Sequence, residues 1–170
     1  MTAKGCEVLE ARVAGNLDSA EMYRELAQQL EALLAGERDP IANAANTSAL
    51  LFQIVPDINW AGFYFLREDS ELVLGPFQGT PACVRIAAGH GVCGAAVERR
   101  QPVLVGDVRE FPGHIACDAI SRAELVVPLM REGEIFGVLD LDSPLPGRFD
   151  ARDQLGVERV GAIYVAASDR

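Results

Sequence analysis

The sequence predicts an α+β domain built on a mainly antiparallel sheet, with helices packed on one face. Three observations carry this. Two amphipathic helical stretches come first, a run of short strands with turn residues between them follows, and a single helix ends the chain. The 170 residues suit one domain with a sizeable core.

The elements can be justified in order. Residues 1–17 read as a loosely ordered lead-in, and residues 18–170 as the domain. Asp18 opens the first helix, with Glu21 three positions on as a capping partner. Met22, Leu26, Leu30, Leu33 and Leu34 form its apolar stripe, and Gly36 stops it. Asp39-Pro40 starts a second helix that carries Ile41, Leu50, Leu51 and Ile54 and ends before Pro56. "NWAGFYFLRE" and "ELVLGPF" read as a hairpin joined by Asp69-Ser70, and "VRIAA" as a short strand. "GVCGAAVERR" reads as a helix and "PVLVGDV" as a strand. "ELVVPLMRE" and "EIFGVLDLDS" form a second hairpin around Glu132-Gly133. Asp150 caps the last helix, with Leu155, Val160, Ile163 and Tyr164 expected to face inward.

Composition narrows the function. With 15 basic against 25 acidic residues, the net charge is −10. Such a surface repels phosphate backbones and anionic lipid, so nucleic acid and membranes are poor partners. No stretch is long and apolar enough to span a bilayer, and the N-terminus has no apolar signal core. A cytoplasmic, thiol-reducing setting is the expectation. There, four cysteines suggest redox or metal chemistry rather than a disulfide framework.

Cys6, Cys83, Cys93 and Cys117 form no C-x-x-C pair. A metal held by thiols with His90 or His114 is therefore disfavoured, and no metal is expected. A lone cysteine is most often a small buried hydrophobe. That reading fits Cys117 poorly, because it lies in the loop "FPGHIACD", beside Asp118 and close to His114. Cys83 follows Thr80-Pro81-Ala82, also in a loop, so the two suit a nucleophile and a resolving thiol. Cys6 falls in the lead-in and reads as incidental.

Gly89, Gly91 and Gly94 spell G-x-G-x-x-G, with Asp107 near the spacing of a ribose-binding acid. A dinucleotide site would need further βαβ units, which do not follow, so a tight turn into a helix is the simpler reading. In "VLDLDS", Leu139 and Leu141 share one strand face while Asp140 and Asp142 share the other. Glu124 begins the neighbouring strand and can join them. These acids form either a solvated face or a carboxylate cluster able to bind an ammonium group or donate a proton. Trp60, Gly62 and Tyr64 alternate onto one face, as core residues or as the wall of an apolar pocket.

The segments "NWAGFYF", "LVLGPFQGTPACVRIAAGHGVCG", "FPGHIACDAISRAELVVPL" and "GVLDLDSP" together resemble the GAF-domain free methionine-(R)-sulfoxide reductases. The likeness runs from about Asp18 onward. Ala87-Ala88, Arg122-Ala123 and Cys6 depart from the family pattern but touch no key position. The resemblance implies a single GAF domain with a small pocket on the sheet face opposite the helices. It also implies Cys117 as nucleophile, Cys83 as resolving thiol and Cys93 in an accessory role. Glu124, Asp140 and Asp142 would bind substrate and protonate the sulfoxide oxygen, with Asp142 the expected catalytic acid. Trp60 and Tyr64 would flank the pocket. No bound cofactor is implied; thioredoxin, linked to NADPH, would recycle a homodimeric enzyme. The other class that the sequence admits is a GAF sensory module that binds a small ligand without chemistry.

Overall fold

The computed structural model describes residues 18–68, 70–113 and 119–169. The expected lead-in, Cys6, His114 and Cys117 lie outside the described residues. Four α-helices run over Ser19–Leu33 (α1), Pro40–Ile54 (α2), Gly91–Arg99 (α3) and Ala151–Ala167 (α4). Six strands run over Trp60–Leu66 (β1), Glu71–Gly79 (β2), Arg85–Ala87 (β3), Val103–Val105 (β4), Ala123–Arg131 (β5) and Glu134–Ser143 (β6). One short 3₁₀ turn, Val108–Glu110, was not anticipated.

The capping residues read from the sequence perform as expected. The Asp18 carboxylate accepts from the Glu21 N–H at 3.1 Å. Asp39 accepts from Ile41 and Ala42, with Pro40 in the first turn. Asp150 and Asp153 form a reciprocal capping box at the start of α4. Glu132 and Gly133 both adopt positive φ, at 52° and 83°, as a two-residue hairpin turn requires.

The strands form one sheet in the order β3-β2-β1-β6-β5-β4, and every pairing is antiparallel. Pro128 lies mid-strand in β5 without breaking a ladder. Its neighbour β4 covers only Glu124, Leu125 and Val126, so the missing N–H falls on an uncovered edge.

The sheet separates two apolar clusters. Leu125, Val127, Leu139, Leu141, Ala61 and Phe63 point to the face covered by α1, α2 and α4. Their strand neighbours Val126, Val138, Trp60 and Tyr64 point the other way, to a smaller cluster that includes Val92 and Cys93 of α3. Three helices thus share one face as expected, while α3 packs on the opposite one and closes over it.

Two inward assignments are corrected. Leu155 is 66% exposed and Ile41 is 55% exposed. The buried stripe of α4 is Asp153, Gly156, Val157, Val160, Gly161 and Tyr164. Leu155 lies on the far side of the helix from Val157 and Val160. Gly156 marks where α4 presses on α1: a Cβ built there would lie 2.1 Å from Cγ of the Tyr23 ring. Gly156→Ala should therefore destabilise the fold by about 1–3 kcal/mol, the usual range for overpacking. A lower denaturant midpoint with an unchanged slope would show this; an unchanged midpoint would mean that the helices part without cost.

Candidate active site

A small pocket of about 40 Å³ opens on the α3 side of the sheet. Its walls come from three central strands, from the segment after β2 and from the first turn of α3. Strand register brings the acids together. Glu124 on β5 pairs directly with Asp142 on β6, and Asp142 pairs in turn with Trp60 on β1. Asp140 lies two residues along the same β6 face, opposite Gly62. All three carboxylates line the pocket. Asp140 and Glu124 are buried, at 5% and 7% exposure, and Asp142 is half-buried. The acids therefore form an enclosed cluster, not a solvated strand face.

The aromatic wall is held by specific contacts. Trp60 stacks on Tyr64 at 5.9 Å and on Phe77 at 5.3 Å between ring centroids. Gly62 makes room for this stack, since a Cβ there would meet Phe77 at 2.4 Å and the Trp60 ring at 2.6 Å. The Trp60 indole N–H donates to the Thr80 carbonyl at 3.2 Å, and the Tyr64 hydroxyl donates to the Cys83 carbonyl at 2.9 Å. Both bonds fasten the segment bearing Cys83 to the pocket rim. Burial, and then the charge of Asp140, raise the Tyr64 phenol far above its ordinary range. It remains a neutral donor.

Cys93 occupies the first turn of α3 and is a buried free thiol. It donates to Asp140 Oδ2 at 3.3 Å. Burial raises its pKa well above the usual value, with the Asp140 and Glu124 charges adding to the effect, so it stays protonated. Asp140 is raised to about 7 by burial, against an opposing pull from the Cys93 hydrogen bond. The spacing of the two acids on one strand face suggests mutual repulsion with Asp142 as the cause; here the cause is burial. Asp140 Oδ1 is buried and has no hydrogen-bond partner among the described residues.

Cys83 is disulfide-bonded and half-buried, and Cys93 is the free cysteine among the described residues. Cys117 and His114, singled out in the sequence, lie outside the described residues. The glycine motif is a tight turn. Gly89 and Gly91 have φ of 78° and 61°, and a Cβ on Gly94 would sit 2.7 Å from the Ala87 carbonyl oxygen. Asp107 accepts from the Arg109 N–H and forms an ion pair with Arg122. The Arg122 hydrogen bond, and then that backbone N–H, lower its carboxyl to about 2. It thus braces the chain ahead of Glu124. Sequence reasoning missed the Cys93–Asp140 bond, since nothing local links residues 47 positions apart. Ser121 also lines the pocket and accepts from the Asn59 side chain at 3.0 Å; no motif announced it.

The profile of the GAF domain matches residues 43–167. Free methionine-R-sulfoxide reductase of Escherichia coli is 53% identical over 146 residues, 86% of this chain and 88% of that one. The chain belongs to the GAF-domain free methionine-R-sulfoxide reductase family. The Saccharomyces cerevisiae member is 38% identical over 157 residues, covering 88% of this chain and 87% of its own. The X-ray structure of the family member from Neisseria meningitidis, in complex with its substrate, superposes with a TM-score of 0.88. That pair is 43% identical and covers 92% of this chain and 95% of the other. The family's fold is the one described above: a single GAF domain with the pocket and the main helical layer on opposite faces of one antiparallel sheet.

Proposed function

We propose that this protein is an oxidoreductase that reduces free L-methionine-(R)-sulfoxide to L-methionine. The observation that supports this best is the wall of three carboxylates, two of them buried, beside the segment that leads to the disulfide-bonded Cys83. A free amino acid carries an ammonium group, and Glu124 with Asp142 supplies it with an anionic partner. A peptide-bound methionine sulfoxide lacks that charge and would leave those acids uncompensated. Val92 and Cys93 in the first turn of α3 line the same pocket, and their N–H groups, which the N-cap His90 side chain does not cap, suit the substrate carboxylate.

The chemistry follows from the residues. The Cys117 thiolate attacks the sulfoxide sulfur while Asp140, kept protonated near neutrality by burial, delivers a proton to the oxygen. The oxygen passes to Cys117 as a sulfenic acid, and methionine leaves reduced by two electrons. The Cys83 thiol then attacks the sulfenic sulfur, water departs, and a disulfide remains. Thioredoxin, itself reduced at the expense of NADPH, returns both thiols. No cofactor is bound in this scheme. The protein acts in the cytoplasm as a homodimer; no helix of the described residues is long and apolar enough to cross a membrane.

Turnover of racemic free methionine sulfoxide with thioredoxin, alongside a free-thiol count, tests this reading. Half of the racemate should be consumed, and two thiols should be lost per protein when the reductant is withheld. A sensory module would lose none. Cys83→Ser should complete one stoichiometric turnover and then stall with thioredoxin, because its sulfenic acid has no resolving partner. Cycling at the wild-type rate would transfer that role to Cys93.

A further inference from the structure

We propose that Cys93, Glu124 and Asp140 form a site for one divalent cation of the zinc class, and that this ion and the substrate exclude each other. The exclusion rests on the reading of Glu124 given above; the ion site does not. One ligand atom from each of these three buried side chains lies within 4.8 Å of the others. Cys93 Sγ and Asp140 Oδ2 are 3.3 Å apart. A thiolate and a carboxylate oxygen on one tetrahedral zinc ion stand roughly 3.5 Å apart, so this pair needs almost no movement.

A second observation points to a ligand independently of the clustering. Asp140 Oδ1 is buried without a hydrogen-bond partner among the described residues, on a side chain only 5% exposed. Buried carboxylate oxygens are normally satisfied, so an orphan acceptor on a side chain that lines the pocket points to something bound beside it. The donor set selects the ion. One sulfur with two carboxylates suits borderline-soft zinc or cobalt, whereas magnesium and calcium demand oxygen alone and more of it. Three protein ligands leave the fourth tetrahedral position open toward the pocket.

Binding is a proton-for-metal exchange. The Cys93 S–H bond breaks, its proton goes to solvent, and a sulfur–metal bond forms, with no change of oxidation state. The position of Cys93 in the first turn of α3 favours the resulting thiolate. The ion then occupies Glu124, which the substrate ammonium also uses, and takes the proton-bearing face of Asp140. Metal occupancy thus silences the enzyme without touching Cys117 or Cys83.

The test uses the protein in its disulfide form, in which Cys83 is already tied up. Titration with Co²⁺ should give a thiolate-to-cobalt absorption band in the near ultraviolet that saturates at one equivalent and is erased by Zn²⁺. It should also quench Trp60, the single tryptophan, which lines the same pocket. Cys93→Ser should lose the band and at least tenfold in affinity, Glu124→Gln should keep the band but bind about tenfold more weakly, and Cys6→Ser should match wild type. Saturating free methionine should weaken cobalt binding at least tenfold. A band that persists in Cys93→Ser, or no saturable quenching of Trp60, overturns the site. An intact band that free methionine does not shift overturns the exclusion. Normal turnover with no cobalt band refutes the ion site alone, while a cobalt band from protein that shows no turnover in metal-free buffer refutes the reductase reading alone.

Discussion

Replacing Cys117 with serine should abolish reduction of free methionine-(R)-sulfoxide while leaving the fold and ligand binding intact. A hydroxyl at this position is a far weaker nucleophile toward sulfur, and it cannot form a sulfenic acid that another thiol resolves. Neither Cys93 nor Cys83 can substitute. Cys93 is held protonated by burial and by the neighbouring carboxylates. In the proposed reaction Cys83 is reserved for the second step, and its carbonyl is anchored to Tyr64. The variant should still quench or shift Trp60 emission when substrate binds, since Trp60 and the acids are unchanged. Single-turnover product formation measured over hours checks this. Near-normal product from Cys117→Ser would remove Cys117 from the chemistry and return the nucleophile's role to Cys83.

The second large effect is expected at Asp140. Asp140→Asn should slow the chemical step by on the order of a hundredfold or more, the usual contribution of a positioned general acid. Binding should change far less, because Glu124 and Asp142 still face the ammonium. The pH dependence carries a distinct signature. Burial raises the Asp140 carboxyl from its ordinary range to about 7, so the donor is available below that pH and lost above it. The wild-type single-turnover rate should therefore fall as pH rises through about 7, and Asp140→Asn should lack that limb. Stability follows the same sign. The unfolded chain releases this proton near pH 4 while the folded protein keeps it until about 7. The contribution of Asp140 to stability is thus complete at low pH and declines between those values. Relieving the buried charge in Asp140→Asn should flatten the decline. A variant with an unchanged chemical step and only weaker binding would move the acid to Asp142, the residue singled out from the sequence.

Much of this was legible in the chain because period-2 strands and capped helices leave local marks. Asp140 and Asp142 could be set on one face and Leu139 and Leu141 on the other from spacing alone, and the structure buries the leucines under the helices. The hairpin at Glu132-Gly133 was equally plain. What stayed hidden was relational. That α3 folds across to the pocket face, bringing the Cys93 thiol to Asp140, depends on how the chain turns after β3. The inward stripe of α4 was misread at Leu155 because Gly156 and Gly161, which show where neighbours press closest, carry no hydrophobic signal. Which carboxyl holds a proton was likewise set by depth within the fold, a quantity that spacing does not encode.

The same alternation gives β6 a parity rule. From Val138 to Asp142 each residue serves either the helical core or the pocket face, and neighbours serve opposite ones. One extra residue between Val138 and Asp140 would turn both acids toward α4 and expose the leucines to the pocket, costing stability and activity together. Two extra residues would restore the facing and merely shift the acids along the sheet by one pleat, roughly 7 Å, from Glu124. This enzyme can therefore lengthen that regular stretch by even steps as a folded protein, but can keep its carboxylate cluster only at its present length.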